Sequence, residues 1–187
     1  MSHPFDLTND ADFRAWRDAR LAVYPASRDD LGVEVRDLAA PTPAEREAIR
    51  ERLSRYNAAL VATAPTQVEP GSVIAFGAAL GLTRTDSNLF ADEQAVSAIT
   101  PGGDSARGEY APYTTRALNW HTDGYYNPPD RQVRAWTLFC RHQSSSGGVN
   151  GLLDHEVAYA LLRDESIDHI RALSHPQALI IPANRQG

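Results

Sequence analysis

Apolar positions in the first quarter of the chain recur at helical spacing. Phe13, Trp16, Arg17, Arg20 and Val23 trace one stripe, with the arginine stems covering apolar surface and their heads reaching water, so a helix capped by Thr8 or Asn9 is expected through about Val23. Pro25 ends it. Gly32 to Val35 reads as a short strand. Thr42-Pro43-Ala44-Glu45 then joins a capping box to a proline at the first helical position, predicting a helix to about Tyr56 with Ile49, Leu53 and Tyr56 inward. Ala58 to Ala62 has the length and apolarity of a buried strand, and Ser72 to Leu80 predicts a small-residue helix stopped by Gly81.

From Asn88 to Thr115 the periodicity disappears and Pro101-Gly102-Gly103-Asp104 marks a turn, so this stretch is expected to be a long loop, a lid or substrate loop. Ala117 to Trp120 and Val133 to Arg141 are aromatic- and aliphatic-rich and predict two strands around the turn material Asn127-Pro128-Pro129-Asp130. Asp154 caps an expected helix from His155 to Leu162, and Asp164 to Leu173 adds another. Ala178 to Ile181 reads as a strand ended by Pro182. The reading is one domain over residues 1–187, with a helix-rich part over 1–87, the loop over 88–115, and a strand-rich part over 116–187.

Composition narrows the function classes. With 187 residues, 42% of them apolar and 22% charged, the chain is long enough to bury one core. The net charge of −6, from 24 acidic and 18 scattered basic residues, argues against nucleic acid and anionic membranes. Val73 to Leu82 is among the longest apolar runs and falls far short of the roughly 20 residues that span a bilayer. A single cysteine, Cys140, and acidic Asp6, Asp10 and Asp12 in place of an apolar signal core predict a soluble, reducing, cytoplasmic setting. Cys140 reads as a small core residue, Trp16 and Trp136 as packing rings, and Arg131, Arg134 and Arg141 as strand-flanking charges.

The candidate chemistry lies in His121-Thr122-Asp123. Residues two apart on an extended strand face the same side, so an imidazole and a carboxylate can aim at one point. That mixed donor pair suits iron(II), and one further histidine would complete a facial triad with free coordination positions. A solvated histidine beside an aspartate is the other reading of so short a pattern. Trp120 before the motif and Gly124-Tyr125-Tyr126-Asn127-Pro128-Pro129 after it add expected aromatic walls and a constrained turn.

The segment Leu118-Asn119-Trp120-His121-Thr122-Asp123-Gly124, with Pro128-Pro129, Leu138 and Ser146-Gly147-Gly148, resembles the TauD/TfdA, or taurine dioxygenase-like, family of iron(II)- and 2-oxoglutarate-dependent dioxygenases. The likeness continues from Asn150 to Tyr159 and from His175 to Asn184, covering roughly residues 115 to 185. It implies an α+β protein with a mainly β core, a double-stranded β-helix or jelly-roll with flanking helices. It implies that His121 and Asp123 bind Fe(II), and that Asn150, two positions after the Gly147-Gly148 pair, touches the co-substrate 2-oxoglutarate. Threonine is usual at that last position, and an asparagine amide can still donate to a carboxylate. Dioxygen and a small-molecule substrate are the partners so implied.

The resemblance further implies a distal histidine as third iron ligand and, beyond it, an arginine whose fork grips the far carboxylate of 2-oxoglutarate. Both normally lie past the point where this chain ends, so an incomplete jelly-roll is expected. His175 and Arg185 stand ten apart, near the family's spacing, yet Pro176 and the run Ala178 to Pro182 match its middle region, which makes His175 a loop or helix-end residue. His142, His155 and His169 read as solvated or capping residues. The leading function is therefore an Fe(II)- and 2-oxoglutarate-dependent dioxygenase oxidising a small molecule. The alternatives are a truncated, catalytically silent remnant acting by protein association, and a cupin-like metal-binding protein that completes its site with His175 or a partner subunit. A homo-oligomer is compatible with all three.

Overall fold

The computed structural model describes residues 3–64, 68–86, 92, 95–100 and 110–181. The chain divides into two compact units. One comprises Met1–Val33, Glu47–Ala62 and Ser144–Gly187, the other Glu34–Arg46 and Thr63–Gln143.

The first unit is helical, and its main helices begin where short polar side chains satisfy free backbone N–H groups. Helix α1, Asp10–Ala22, is capped by Asn9, whose Oδ1 accepts from Asp12 N at 3.1 Å. Helix α4, His155–Glu165, is capped by Asp154 through Glu156 N at 2.9 Å, and α5, Ile167–Leu173, by Ser166 through Asp168 N at 3.2 Å. Asp164 and Glu165 thus close α4 rather than open α5, because Ser166 is the better-placed cap.

The stripe on α1 packs as expected at Phe13 and Trp16, which meet Tyr159 of α4 with ring centroids at 5.9 and 5.8 Å. Ala160 beside Tyr159 is fully buried. Arg20 departs from the expectation of a head in water. Its side chain is buried and pairs with Asp154 Oδ2 and, at 2.6 Å, with Glu156 Oε2. Asn57 Nδ2 donates to the same two carboxylates at 3.1 Å each. Asn57 adopts a left-handed backbone (φ 55°) just past the helix end, and its N–H donates to Leu53 O at 3.0 Å.

Helix α2, Pro43–Tyr56, starts at the capping box read from the sequence: Glu45 N donates to Thr42 Oγ1 at 3.3 Å and Thr42 N to Glu45 Oε2 at 2.6 Å. Ile49 is buried, whereas Leu53, expected inward, is exposed. The short strands β1, Gly32–Glu34, and β2, Leu60–Ala62, pair with each other, with Val33 buried.

In the second unit, α3, Pro70–Ala79, ends in a Schellman motif: Leu82 N donates to Gly77 O at 2.9 Å and Gly81 N to Ala78 O at 3.0 Å. Gly81 supplies the positive φ of 95° that this motif requires. The turn expected at Pro101 to Asp104 and much of the 88–115 loop lie outside the described residues. The end of that loop is anchored by a 3-10 turn, Ala111–Tyr113, whose Tyr113 ring is buried.

The strand predictions fail where the jelly-roll would have been. Among the described residues the regular structure is five α-helices, short 3-10 turns and the β1-β2 pair, which is too few strands to display a double-stranded β-helix. Residues 117–120, 133–141 and 178–181 have no strand pairing. Trp120, Trp136, Leu138, Leu179 and Ile180 are more than half exposed, so Trp136 is not a packing ring here. Cys140 is also exposed. The physical reason is that a strand is completed by a neighbour; apolar and aromatic residues favour the pleated state only when one is present. No described helix is long and apolar enough to cross a membrane.

Candidate metal centre

His121 and Asp123 stand together in the second unit, but not on a strand. Residues 121 and 122 are irregular, and Asp123 opens a turn over residues 123–126. Within it the two side chains converge, His121 Nε2 lying 3.5 Å from Asp123 Oδ1. They are 44% and 56% exposed, which leaves the space beside them accessible to an ion and to its further ligands.

The other imidazole nitrogen decides the chemistry. His121 Nδ1 is 2.7 Å from Asn119 O. A carbonyl oxygen only accepts, so Nδ1 carries the hydrogen, and Nε2, on the Asp123 side, is the nitrogen left to bind an ion through its lone pair. A backbone carbonyl behind the non-ligating nitrogen is the usual way a metal-binding histidine is oriented. Two donors each about 2.1 Å from one ion lie roughly 3.0 Å apart at a right angle and roughly 3.4 Å apart at the tetrahedral angle, so the 3.5 Å pair is within about half an ångström of the separation one ion would impose. Among the described residues no group of three His, Cys, Asp or Glu side chains converges, so the third protein donor is not found among them.

The turn after the motif is built by glycine and by a residue that sequence reasoning missed. Gly124 has φ 66°, and a Cβ there would sit 2.3 Å from Val133 Cγ2, so both backbone and space require glycine. Asn127 N donates to Gly124 O at 2.9 Å, and Pro129–Arg131 forms a 3-10 turn. The missed residue is Asp86. Its Oδ2 accepts from Asn127 Nδ2 at 2.9 Å and its Oδ1 from Arg131 Nη2 at 3.0 Å. These bonds, the asparagine first, hold the Asp86 carboxyl below the usual aspartate range. Arg131 is therefore a partner of Asp86 rather than a strand-flanking charge.

The aromatic surroundings differ from expectation at Trp120, which is 72% exposed. Tyr125 and Tyr126 do associate, edge-on with centroids at 5.4 Å. Partial burial, then the charges of Asp86 and Asp123, push the Tyr126 phenol above its usual value.

Asn150 belongs to the first unit, after a turn in which Gly147 and Gly148 both have positive φ, 73° and 71°. Its amide donates to Gly148 O over a long 3.5 Å. His175 sits in a turn after α5, where its Nδ1 accepts from Gln177 N at 3.1 Å, as a helix-end residue would. Arg185 lies outside the described residues. His155 and His169 fall in α4 and α5, as read from the sequence.

Against known families, residues 19–181 match the one described as "Taurine catabolism dioxygenase TauD, TfdA family". Comparison with the curated proteins and with the solved structures finds no match.

Proposed function

This chain belongs to the TauD/TfdA family, and from that premise we propose that it is an iron(II)- and 2-oxoglutarate-dependent dioxygenase oxidising a small organic molecule. The observation that carries the reading is the 3.5 Å approach of His121 Nε2 to Asp123 Oδ1, with Nδ1 tied to Asn119 O. Iron(II), when bound, supplies activation of dioxygen coupled to the decarboxylation of 2-oxoglutarate to succinate.

The residues of this chain have distinct parts in that reading. His121 is oriented by the Nδ1 contact to Asn119 O so that Nε2 is the nitrogen that would bind the ion. Asp123 adds the negative charge that favours a divalent cation over water. The Tyr125-Tyr126 pair walls one side of the turn, and a role for the Asn150 amide as donor to a 2-oxoglutarate carboxylate rests on the family resemblance alone. The jelly-roll implied by the family is the frame in which this site would be completed.

Anaerobic titration with iron(II), with and without 2-oxoglutarate, tests the proposal. The expected result is a weak visible charge-transfer band that requires both additions and disappears in His121→Ala. A folded protein that gives no band, or a band that survives in both His121→Ala and Asp123→Ala, would overturn it.

A further inference from the structure

We propose that Asp86 is a positioning residue for the metal centre, holding through Asn127 and Arg131 the turn that presents Asp123. The inference rests on the reading of His121 and Asp123 as metal ligands and adds a residue 37 positions before Asp123 to that site.

The geometry is a closed circuit. Asp123 opens the turn, and Asn127 N fastens that turn by donating to Gly124 O at 2.9 Å. The Asn127 side chain ties the turn to two further segments: its Nδ2 is shared between Arg131 O at 3.1 Å and Asp86 Oδ2 at 2.9 Å. Arg131 N donates to Pro128 O at 2.9 Å, closing the 3-10 turn, while its Nη2 reaches Asp86 Oδ1 at 3.0 Å. Both oxygens of one carboxylate are thereby committed to a segment 41 and 45 positions away in sequence. Gly124 packs against Val133 too closely to admit any side chain, so the loop also turns back on itself without slack.

His121 has its own anchor in Asn119 O, upstream of the turn. Asp123 is borne on the first position of the turn, and its one side-chain contact among the described residues is the 3.5 Å approach to His121. A carboxylate that is half exposed and borne on a loose turn would have to be ordered each time an ion binds, which weakens affinity; a turn already fastened avoids that loss. Asp86 therefore acts on the metal through Asp123, and not through His121.

That distinction gives the test. Co(II) binding is measured by calorimetry, a probe that needs neither dioxygen nor turnover, on the wild-type protein, Asp86→Ala, Asp123→Ala and the double variant. The expected result is a loss of about 10- to 100-fold in Co(II) affinity for Asp86→Ala, the range known for residues that orient metal ligands. In the Asp123→Ala background the same change should alter affinity by no more than about twofold, the scatter of independent effects. A purely structural role would weaken both backgrounds alike, and that outcome overturns the inference, as does an unchanged affinity in Asp86→Ala. If Asp86→Ala fails to fold, Asn127→Ala breaks the same circuit from its other side and carries the same expectations. Equal Co(II) affinity of wild type and Asp123→Ala overturns the metal-site reading itself, and the inference with it; the Asp86 results alone leave that reading standing.

Discussion

Arg20 on α1 and Asp154 at the start of α4 form an ion pair whose side chains are only 9% and 8% exposed. Asp154 has two tasks, capping α4 through Glu156 N and neutralising Arg20, and Arg20 also donates to Arg55 O at the end of α2. Removing Arg20 leaves the Asp154 and Glu156 carboxylates side by side with Asn57 but no cation, and removing Asp154 leaves Arg20 only the half-buried Glu156, losses that approach the roughly 3–5 kcal/mol of a buried charge stripped of its partner. Arg20→Ala and Asp154→Ala are each expected to fall in that range by urea denaturation, whereas Arg20→Met/Asp154→Leu should recover much of the loss despite forfeiting the cap. Single variants within about 0.5 kcal/mol of wild type, the range of ordinary surface changes, would show that the pair is solvated.

The start of α2 should be sensitive to acid. Backbone N–H bonds from Arg36 and Thr42, in that order, together with the Thr42 hydroxyl hold the Glu45 carboxyl below the usual glutamate range. A carboxyl depressed in the folded state adds stability at neutral pH, and this is lost as pH falls from the usual glutamate range through the lower folded value. Glu45→Gln should therefore be less stable than wild type at pH 7, with the difference shrinking toward zero at the acid end of a series of urea midpoints. A difference that stays constant with pH would show that the ionised carboxylate is not what supports the helix start.

The range of each interaction decides how much of the fold and the site is legible in the sequence. Helix boundaries are legible because their signals are local: Asn9, Thr42 with Glu45, Gly81 and Asp154 lie within a few residues of the groups they satisfy. The His121-Asp123 pairing is legible for the same reason, although a turn brings the two together where a strand is expected. The strands are not, since nothing in 133–141 states whether a neighbour is present to receive its backbone hydrogen bonds. Buried Arg20 and the clamp at Asp86 escape a sequence reading because their partners are 134 and 41 or 45 positions away, with no local pattern to pair them.

The N-terminal segment is expected to contribute to stability although it precedes the first helix. Arg163, with its side chain 2% exposed, donates Nη1 to Pro4 O at 2.8 Å and Nη2 to Asp6 O at 3.0 Å, and its guanidinium stacks 4.2 Å from the Phe13 ring centroid. Deleting residues 1–6 removes two carbonyl acceptors from a buried cation, a change that costs about 1–3 kcal/mol or more. Thermal unfolding of the shortened chain should show the loss. In Arg163→Met, which needs no acceptors, the same deletion should cost measurably less, and equal costs in the two backgrounds would refute the account.

Gly124 offers the sharpest test of the turn that carries Asp123. Gly124→Ala forces an L side chain into a left-handed conformation, at about 1–2 kcal/mol, and sets its Cβ 2.3 Å from Val133 Cγ2, an overpacking that typically costs about 1–3 kcal/mol more. The two contributions separate in Gly124→Ala/Val133→Ala, compared with Val133→Ala alone: trimming the valine relieves the clash and leaves the backbone strain. The expected pattern in urea denaturation is that Gly124→Ala is distinctly less costly when Val133 is already alanine, yet never free. If it costs the same in both backgrounds, the packing of Val133 on Gly124 is wrong; if it costs nothing in the alanine background, the positive φ is.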